Sequence, residues 1–267
     1  MIFTDTSLKA AEEDYILRWN ANAKQHFDDG DYEWICDLIN KDLTLHSYHR
    51  ILEIGCGAGY STLAFALRDF SIIAIDVNEA AINCTKDLLE EHDYNTRILN
   101  SNDDISADMD VCLWKVDLIH EFSRIRAVIS EQGAFPLDLV VLCNPGGQLT
   151  TDITNQEYKY LLWGGFTTNE ILSNYNQGNV GLLHKWAMIY AACGLAQLVE
   201  KPILIIERGA RMEVQNILQQ IQNDIGNRKI YEAYRAIRNA PKDGIKLSVL
   251  NSASDEQFWG AGLYYPE

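Results

Sequence analysis

The stretch Leu52-Glu53-Ile54-Gly55-Cys56-Gly57-Ala58-Gly59 decides the fold. Arg50-Ile51-Leu52-Glu53-Ile54 reads as a short strand that ends in glycines, and residues 61–67 follow as a helix. A strand that ends in a glycine-rich turn aims the next helix at a ligand. The glycines let the backbone come close because no Cβ stands in the way.

Outward from this turn the pattern repeats. Ser71-Ile72-Ile73-Ala74-Ile75-Asp76 is a second strand, and Asn78 caps a helix that runs to about Glu91. Strand and helix alternating in units of about 25 residues mark a parallel sheet covered on both faces. Two runs compete for the third strand, Thr96-Arg97-Ile98-Leu99 and Val111-Cys112-Leu113-Trp114-Lys115-Val116. A helix follows over about 119–130. Leu137-Asp138-Leu139-Val140-Val141-Leu142 is a fourth strand ending at Asn144-Pro145-Gly146-Gly147, and Pro202-Ile203-Leu204-Ile205-Ile206-Glu207 is a fifth. Helices are expected over 182–198 and 212–225. Alternating or aromatic runs at 229–237, 245–250 and 257–265 suit antiparallel edge strands. The expected fold is α/β, a doubly wound, mostly parallel seven-stranded sheet with an antiparallel C-terminal edge. Residues 1–47 form an N-terminal helical extension, broken at Asp28-Asp29-Gly30-Asp31. Residues 48–267 form the main domain, with a substrate-side lid insertion around 148–181.

Two cofactor classes use such a glycine turn, dinucleotides and S-adenosylmethionine. A dinucleotide fingerprint places a glycine or alanine where this chain has Tyr60. Glu53, beside the glycines, repels a pyrophosphate and attracts an ammonium. Asp76, at the tip of the second strand, is placed to accept hydrogen bonds from both hydroxyls of a ribose. Both classes need that acid.

Leu52–Gly59 matches the first motif of class I S-adenosylmethionine-dependent methyltransferases. Ala74-Ile75-Asp76-Val77-Asn78 resembles their second, acidic motif, and residues 137–145 resemble their fourth-strand motif. The resemblance spans about residues 48–210. It implies that Gly55, Cys56 and Gly57 face the methionine part of S-adenosyl-L-methionine, with S-adenosyl-L-homocysteine as product. It implies that Glu53 organises the loop, directly or through water, that Asp76 holds the ribose and that Val77 lies against the adenine. An acid after the third strand meets the adenine amino group in this family. Asp117-Leu118 is favoured for that role over Asp103, which would make residues 94–108 an insertion or an extra hairpin.

Asn144-Pro145-Gly146-Gly147 resembles the Asn-Pro-Pro-aromatic motif of amino and amide N-methyltransferases but lacks its aromatic platform. Asn144 is expected to face both cofactor and acceptor. His184 is the candidate general base. Arg208 is a candidate for a substrate carboxylate, or for pairing with Glu207 or Glu213. Tyr158, Tyr160, Trp163, Phe166, Tyr175 and Trp186 supply aromatics on the substrate side, as a lid core or as stacking surfaces.

The net charge of −16 disfavours nucleic acid as acceptor, because nucleic-acid binders draw most of their non-specific affinity from Lys and Arg. A small-molecule or peptide-like acceptor, methylated on nitrogen or oxygen, is expected. The alternatives are a protein methyltransferase drawn to a basic partner and a non-catalytic cofactor-binding interaction module. The six cysteines lie mostly in apolar runs without metal spacing and read as buried thiols of a reducing compartment. With no secretory signal and no long apolar run, the expected location is cytoplasmic, without a membrane partner.

Overall fold

The computed structural model describes residues 5–41, 48–99, 110–130, 133, 135–143, 152–225, 228–237 and 257–265. Among them, eight strands form one sheet. They are β1 (Arg50–Ile54), β2 (Ser71–Asp76), β3 (Thr96–Ile98), β4 (Val111–Lys115), β5 (Leu139–Cys143), β6 (Ile203–Ala210), β7 (Arg228–Ala236) and β8 (Gln257–Tyr265). Their order is β3-β4-β2-β1-β5-β6-β8-β7. The six strands from β3 to β6 run parallel, and β8 and β7 close the far edge antiparallel.

Pairing with β2 settles the competition for the third place. Val111–Lys115 pairs with β2, Ile72 opposite Val111 and Asp76 opposite Lys115. Thr96–Ile98 is a strand too, but it lies outside β4 as an added edge. The run at 245–250 lies outside the described residues.

The central strands are apolar on both faces, as a doubly covered parallel sheet requires. Leu52, Ile54, Val140, Leu142, Ile203 and Ile205 face one core; Ile51, Val141, Leu204 and Ile206 face the other. The first face is covered by α5 (Phe122–Ile129), α8 (Val180–Leu198) and α9 (Arg211–Ile225). Ala187, Ala191, Ala192 and Ala196 let α8 lie close to the strands, and the larger Trp186 and Tyr190 fill the layer outside.

The second face is covered by α2 (Asp31–Lys41), α3 (Tyr60–Ala66) and α4 (Glu79–Glu90). Ile35, Cys36 and Ile39 of α2 share a core with Phe65, Val141 and Trp259, so the N-terminal segment is part of the main core. A turn at Gly30, with φ +73°, separates α2 from α1 (Asp5–Asp28).

Within the expected lid lie α6 (Asn155–Trp163) and α7 (Thr168–Asn176). Each begins with a reciprocal capping pair, Thr154 with Glu157 and Thr167 with Glu170. All six cysteines are free thiols. Among the described residues no helix is long and apolar enough to cross a membrane.

Candidate active site

The glycine turn leaves β1 at the carboxyl edge of the parallel strands and is tied to its neighbour at once. The N–H groups of Gly55 and Cys56 both donate to the Ile75 carbonyl, at 2.8 and 3.2 Å. Gly55, Gly57 and Gly59 all have positive φ, +79°, +55° and +85°, which glycine adopts without strain. Their surroundings differ. A Cβ on Gly55 would meet nothing within 4 Å, so open space lies against the turn there. A Cβ on Gly59 would stand 2.7 Å from Thr85 Cα, where α3 begins against α4. A Cβ on Gly57 would sit 3.6 Å from the indole of Trp19, which places α1 over the turn. Tyr60 packs its ring against Phe27 of α1, centroids 5.6 Å apart.

Asp76 joins the turn to the next helix. Its Oδ2 accepts from Gly57 N at 3.1 Å and its Oδ1 from Asn78 N at 2.8 Å. Asn78 in turn caps α4 by accepting from Ala80 N. Val77, between them, is 48% exposed, a large apolar side chain presented beside the carboxylate. Val116 N donates to the Asp76 carbonyl, which brings the end of β4 alongside. Asp117 follows. Its Oδ1 accepts from the Ile119 and His120 amides and its Oδ2 meets His120 Nδ1 at 2.8 Å. Leu118 is buried. Asp103 lies outside the described residues.

Glu53 is fully buried beneath the turn. It accepts hydrogen bonds from the Ser61 and Thr62 hydroxyls in the first turn of α3. Burial pushes its carboxyl up to about 7, against the pull of the two hydroxyls and with the help of the Asp76 charge. Glu53 thus braces the turn from behind through the helix that follows it. Cys56 is also buried, its Sγ accepting from Thr85 Oγ1 at 3.5 Å.

Asn144 lies outside the described residues. Cys143 before it is flanked by the charges of Glu53, Glu207 and Arg208, and burial first, then the two acids, hold its thiol well above the ordinary range. His184 is 1% exposed, with Nδ1 2.5 Å from Glu157 Oε1. Burial works against ionisation of Glu157, but the hydrogen bonds from His184 and Thr154 prevail and lower its pKa. The candidate base therefore stands inside the α6–α8 contact. The aromatics of this layer pack on one another: Trp186 stacks on Tyr190 at 5.4 Å and Phe166 leans on both.

Arg208 reaches back to α1. Its Nη1 donates to His26 Nε2 at 2.7 Å, and its guanidinium lies over Trp19 and Trp259, 5.0 and 5.9 Å from the ring centroids. Arginine has no acceptor, so Nε2 presents its lone pair and Nδ1 carries the hydrogen donated to Asp31 Oδ2. Trp259 Nε1 donates to the same oxygen and Arg235 pairs with the other. This buried network fixes α1 across the carboxyl edge. Trp19 and His26 had no signal in sequence beyond helical spacing, because their partners lie far along the chain. Glu207 pairs with Lys185, Nζ 2.5 Å from Oε2.

Open space against Gly55, an exposed apolar side chain beside Asp76 and an acid at the end of β4 together suit a nucleoside with a flexible polar tail. Residues 51–147 match a family model described as a methyltransferase domain. The chain matches no curated protein sequence. Solved structures share its fold. An S-adenosylmethionine-dependent methyltransferase from Agrobacterium tumefaciens is 12% identical, over 90% of this chain and 62% of that one, with a TM-score of 0.50. Magnesium protoporphyrin IX methyltransferase from Synechocystis PCC 6803, solved with bound S-adenosylmethionine, is 10% identical over 91% and 83%, with a TM-score of 0.43. A Pyrococcus horikoshii structure described as an RNA methyltransferase is 10% identical over 86% and 81%, at 0.47.

Proposed function

We propose that this chain, whose residues 51–147 match a methyltransferase-domain family model, is a class I S-adenosylmethionine-dependent methyltransferase that methylates a small-molecule or peptide-like acceptor on nitrogen or oxygen. The observation that carries the reading is the open cradle at Gly55 beside Asp76 and Val77. Bound there, S-adenosylmethionine supplies an activated methyl group, so the protein mainly positions the acceptor and manages a proton.

Each residue then has a task. The Gly55–Gly57 backbone faces the methionine portion, with Cys56 packed inward and Glu53 holding the turn on α3. Asp76 accepts from the ribose hydroxyls, exchanging its bond from Gly57 for ligand donors. Val77 lies on one face of the adenine, and Asp117 and Leu118 meet its edge. Asn144 is assigned to the junction between donor and acceptor. His184, held by Glu157, is assigned to seating α6 on α8.

The charge of −16 favours a neutral or cationic acceptor. A basic protein partner is the second reading that this same charge supports. The test is transfer of a radiolabelled methyl group to panels of small amines, basic peptides and RNA. Labelling of the first two classes supports the proposal, and labelling of RNA alone refutes the acceptor assignment.

A further inference from the structure

The carboxyl edge of the sheet holds polar groups that cofactor binding does not use. β6 runs past the end of β5: Cys143 stands opposite Ile206, so Glu207 lies one step beyond. Glu207 is in register with Gly260 of β8, and Gly260 with Tyr234 of β7. Residues side by side across a sheet point to the same face. Glu207, Gly260 and Tyr234 therefore form a row across three strands, on the face covered by α8 and α9.

The middle of the row has no side chain. A Cβ on Gly260 would stand 2.2 Å from Val214 Cγ1 and 3.0 Å from Tyr234 Cε1, so valine and tyrosine lean over the glycine. At either end a buried oxygen takes no hydrogen bond among the described residues, Oε1 of Glu207 and the hydroxyl of Tyr234. Glu207 is 0% exposed. Its other oxygen is held by Lys185 of α8 at 2.5 Å. A buried acceptor without a donor is costly, and native folds keep few of them. Here two stand in one row, next to the strand end where the acceptor is expected.

We propose, resting on the methyltransferase reading above, that Glu207 binds the acceptor and that the acceptor is an amine whose N–H is received by Oε1. An ionised carboxylate oxygen only accepts, so the missing partner is a donor. Lys185 fixes the carboxylate by its other oxygen and leaves Oε1 without a hydrogen bond. A nitrogen that gains a methyl group must lose a proton. Oε1 takes that proton and returns it to water after the product leaves. Burial raises the Glu207 pKa, against the pull of Lys185 and of the Arg208 backbone N–H.

Sinefungin tests this without knowledge of the acceptor, because it carries an amino group where S-adenosylmethionine carries its transferable methyl. Calorimetry compares sinefungin with S-adenosylhomocysteine on the full chain. The wild type is expected to prefer sinefungin by tenfold or more. Glu207→Gln should bring that preference close to one and leave S-adenosylhomocysteine affinity within twofold. If the single variant does not melt cooperatively, E207Q/K185M removes both charges of the pair, a change that buried pairs often tolerate, and the same ratio is read. A wild-type preference near one, or a preference that survives in a folded variant, overturns the assignment of Glu207 and leaves the cofactor site standing. Failure of S-adenosylhomocysteine to bind the wild type removes the cofactor reading and this inference with it.

Discussion

Gly55 and Gly59 belong to one turn, yet the structure separates what they do, and alanine at each should fail in a different way. At Gly59, φ is +85° and a Cβ would lie 2.7 Å from Thr85 Cα and 2.9 Å from its Oγ1. Left-handed backbone costs a non-glycine residue about 1–2 kcal/mol. Overpacking against a backbone atom adds about 1–3 kcal/mol, since helix α4 must shift to relieve it. Gly59→Ala should therefore lose roughly 2–5 kcal/mol, or about 4–20 °C in Tm for a chain of this size. At Gly55 the φ of +79° carries the same backbone cost, but nothing lies within 4 Å of the added methyl. Gly55→Ala should lose only about 1–2 kcal/mol of stability. Its methyl instead enters the cradle, where misfit of about 1–3 kcal/mol weakens S-adenosylhomocysteine roughly 5- to 150-fold. Thermal melts with and without S-adenosylhomocysteine, paired with calorimetry, read both effects. Equal destabilisation by the two variants, with cofactor affinity intact in Gly55→Ala, would refute the reasoning.

Other outcomes follow from the same contacts. Asp76→Ala removes a charged acceptor from the ribose position and should weaken S-adenosylhomocysteine by about 10- to 150-fold, the range for hydrogen bonds to a charged group; calorimetry that finds unchanged affinity takes the ribose role from Asp76. Glu53 has a folded pKa of about 7 against an ordinary 4.5, so the fold favours its protonated form. Stability should then fall as pH rises from 4.5 to 7, by about 3 kcal/mol from this group, and Glu53→Gln should flatten that slope in denaturant titrations. Asp31 shows the opposite sign. Burial opposes its charge, but hydrogen bonds from His26 and Trp259 and the charge of Arg235 hold its pKa below 3.8. Its contribution is full above 3.8 and is lost as pH falls through the lower folded value; Asp31→Ala should cost about 3–5 kcal/mol by leaving buried partners uncompensated, and a melt unchanged from wild type would contradict this.

The parts of the fold that repeat locally were open to sequence reading. β1, its glycine turn, β2 and the Asn78 cap are each written in fewer than ten neighbouring residues. The third strand was not, because Thr96–Leu99 and Val111–Val116 are both short apolar runs and periodicity cannot rank them. Pairing with β2 ranks them, and both prove to be strands, so the described residues form a sheet of eight rather than seven. Glu53 could be expected to organise the turn, but its hydroxyl partners on α3 became visible only with the helix in place. Trp19 over Gly57, Arg208 on His26 and the open oxygen of Glu207 depend on side chains up to 182 residues apart. No local pattern encodes them. His184 is a candidate general base in sequence as the sole histidine of its segment, and its Glu157 partner on α6, 27 residues away, carries no local signal.

Calorimetric titration of the purified chain with S-adenosylhomocysteine, with NAD as the comparison, tests the central claim most directly. The account predicts saturable binding of S-adenosylhomocysteine at one site per chain and no heat from NAD. Binding of NAD without binding of S-adenosylhomocysteine would contradict it.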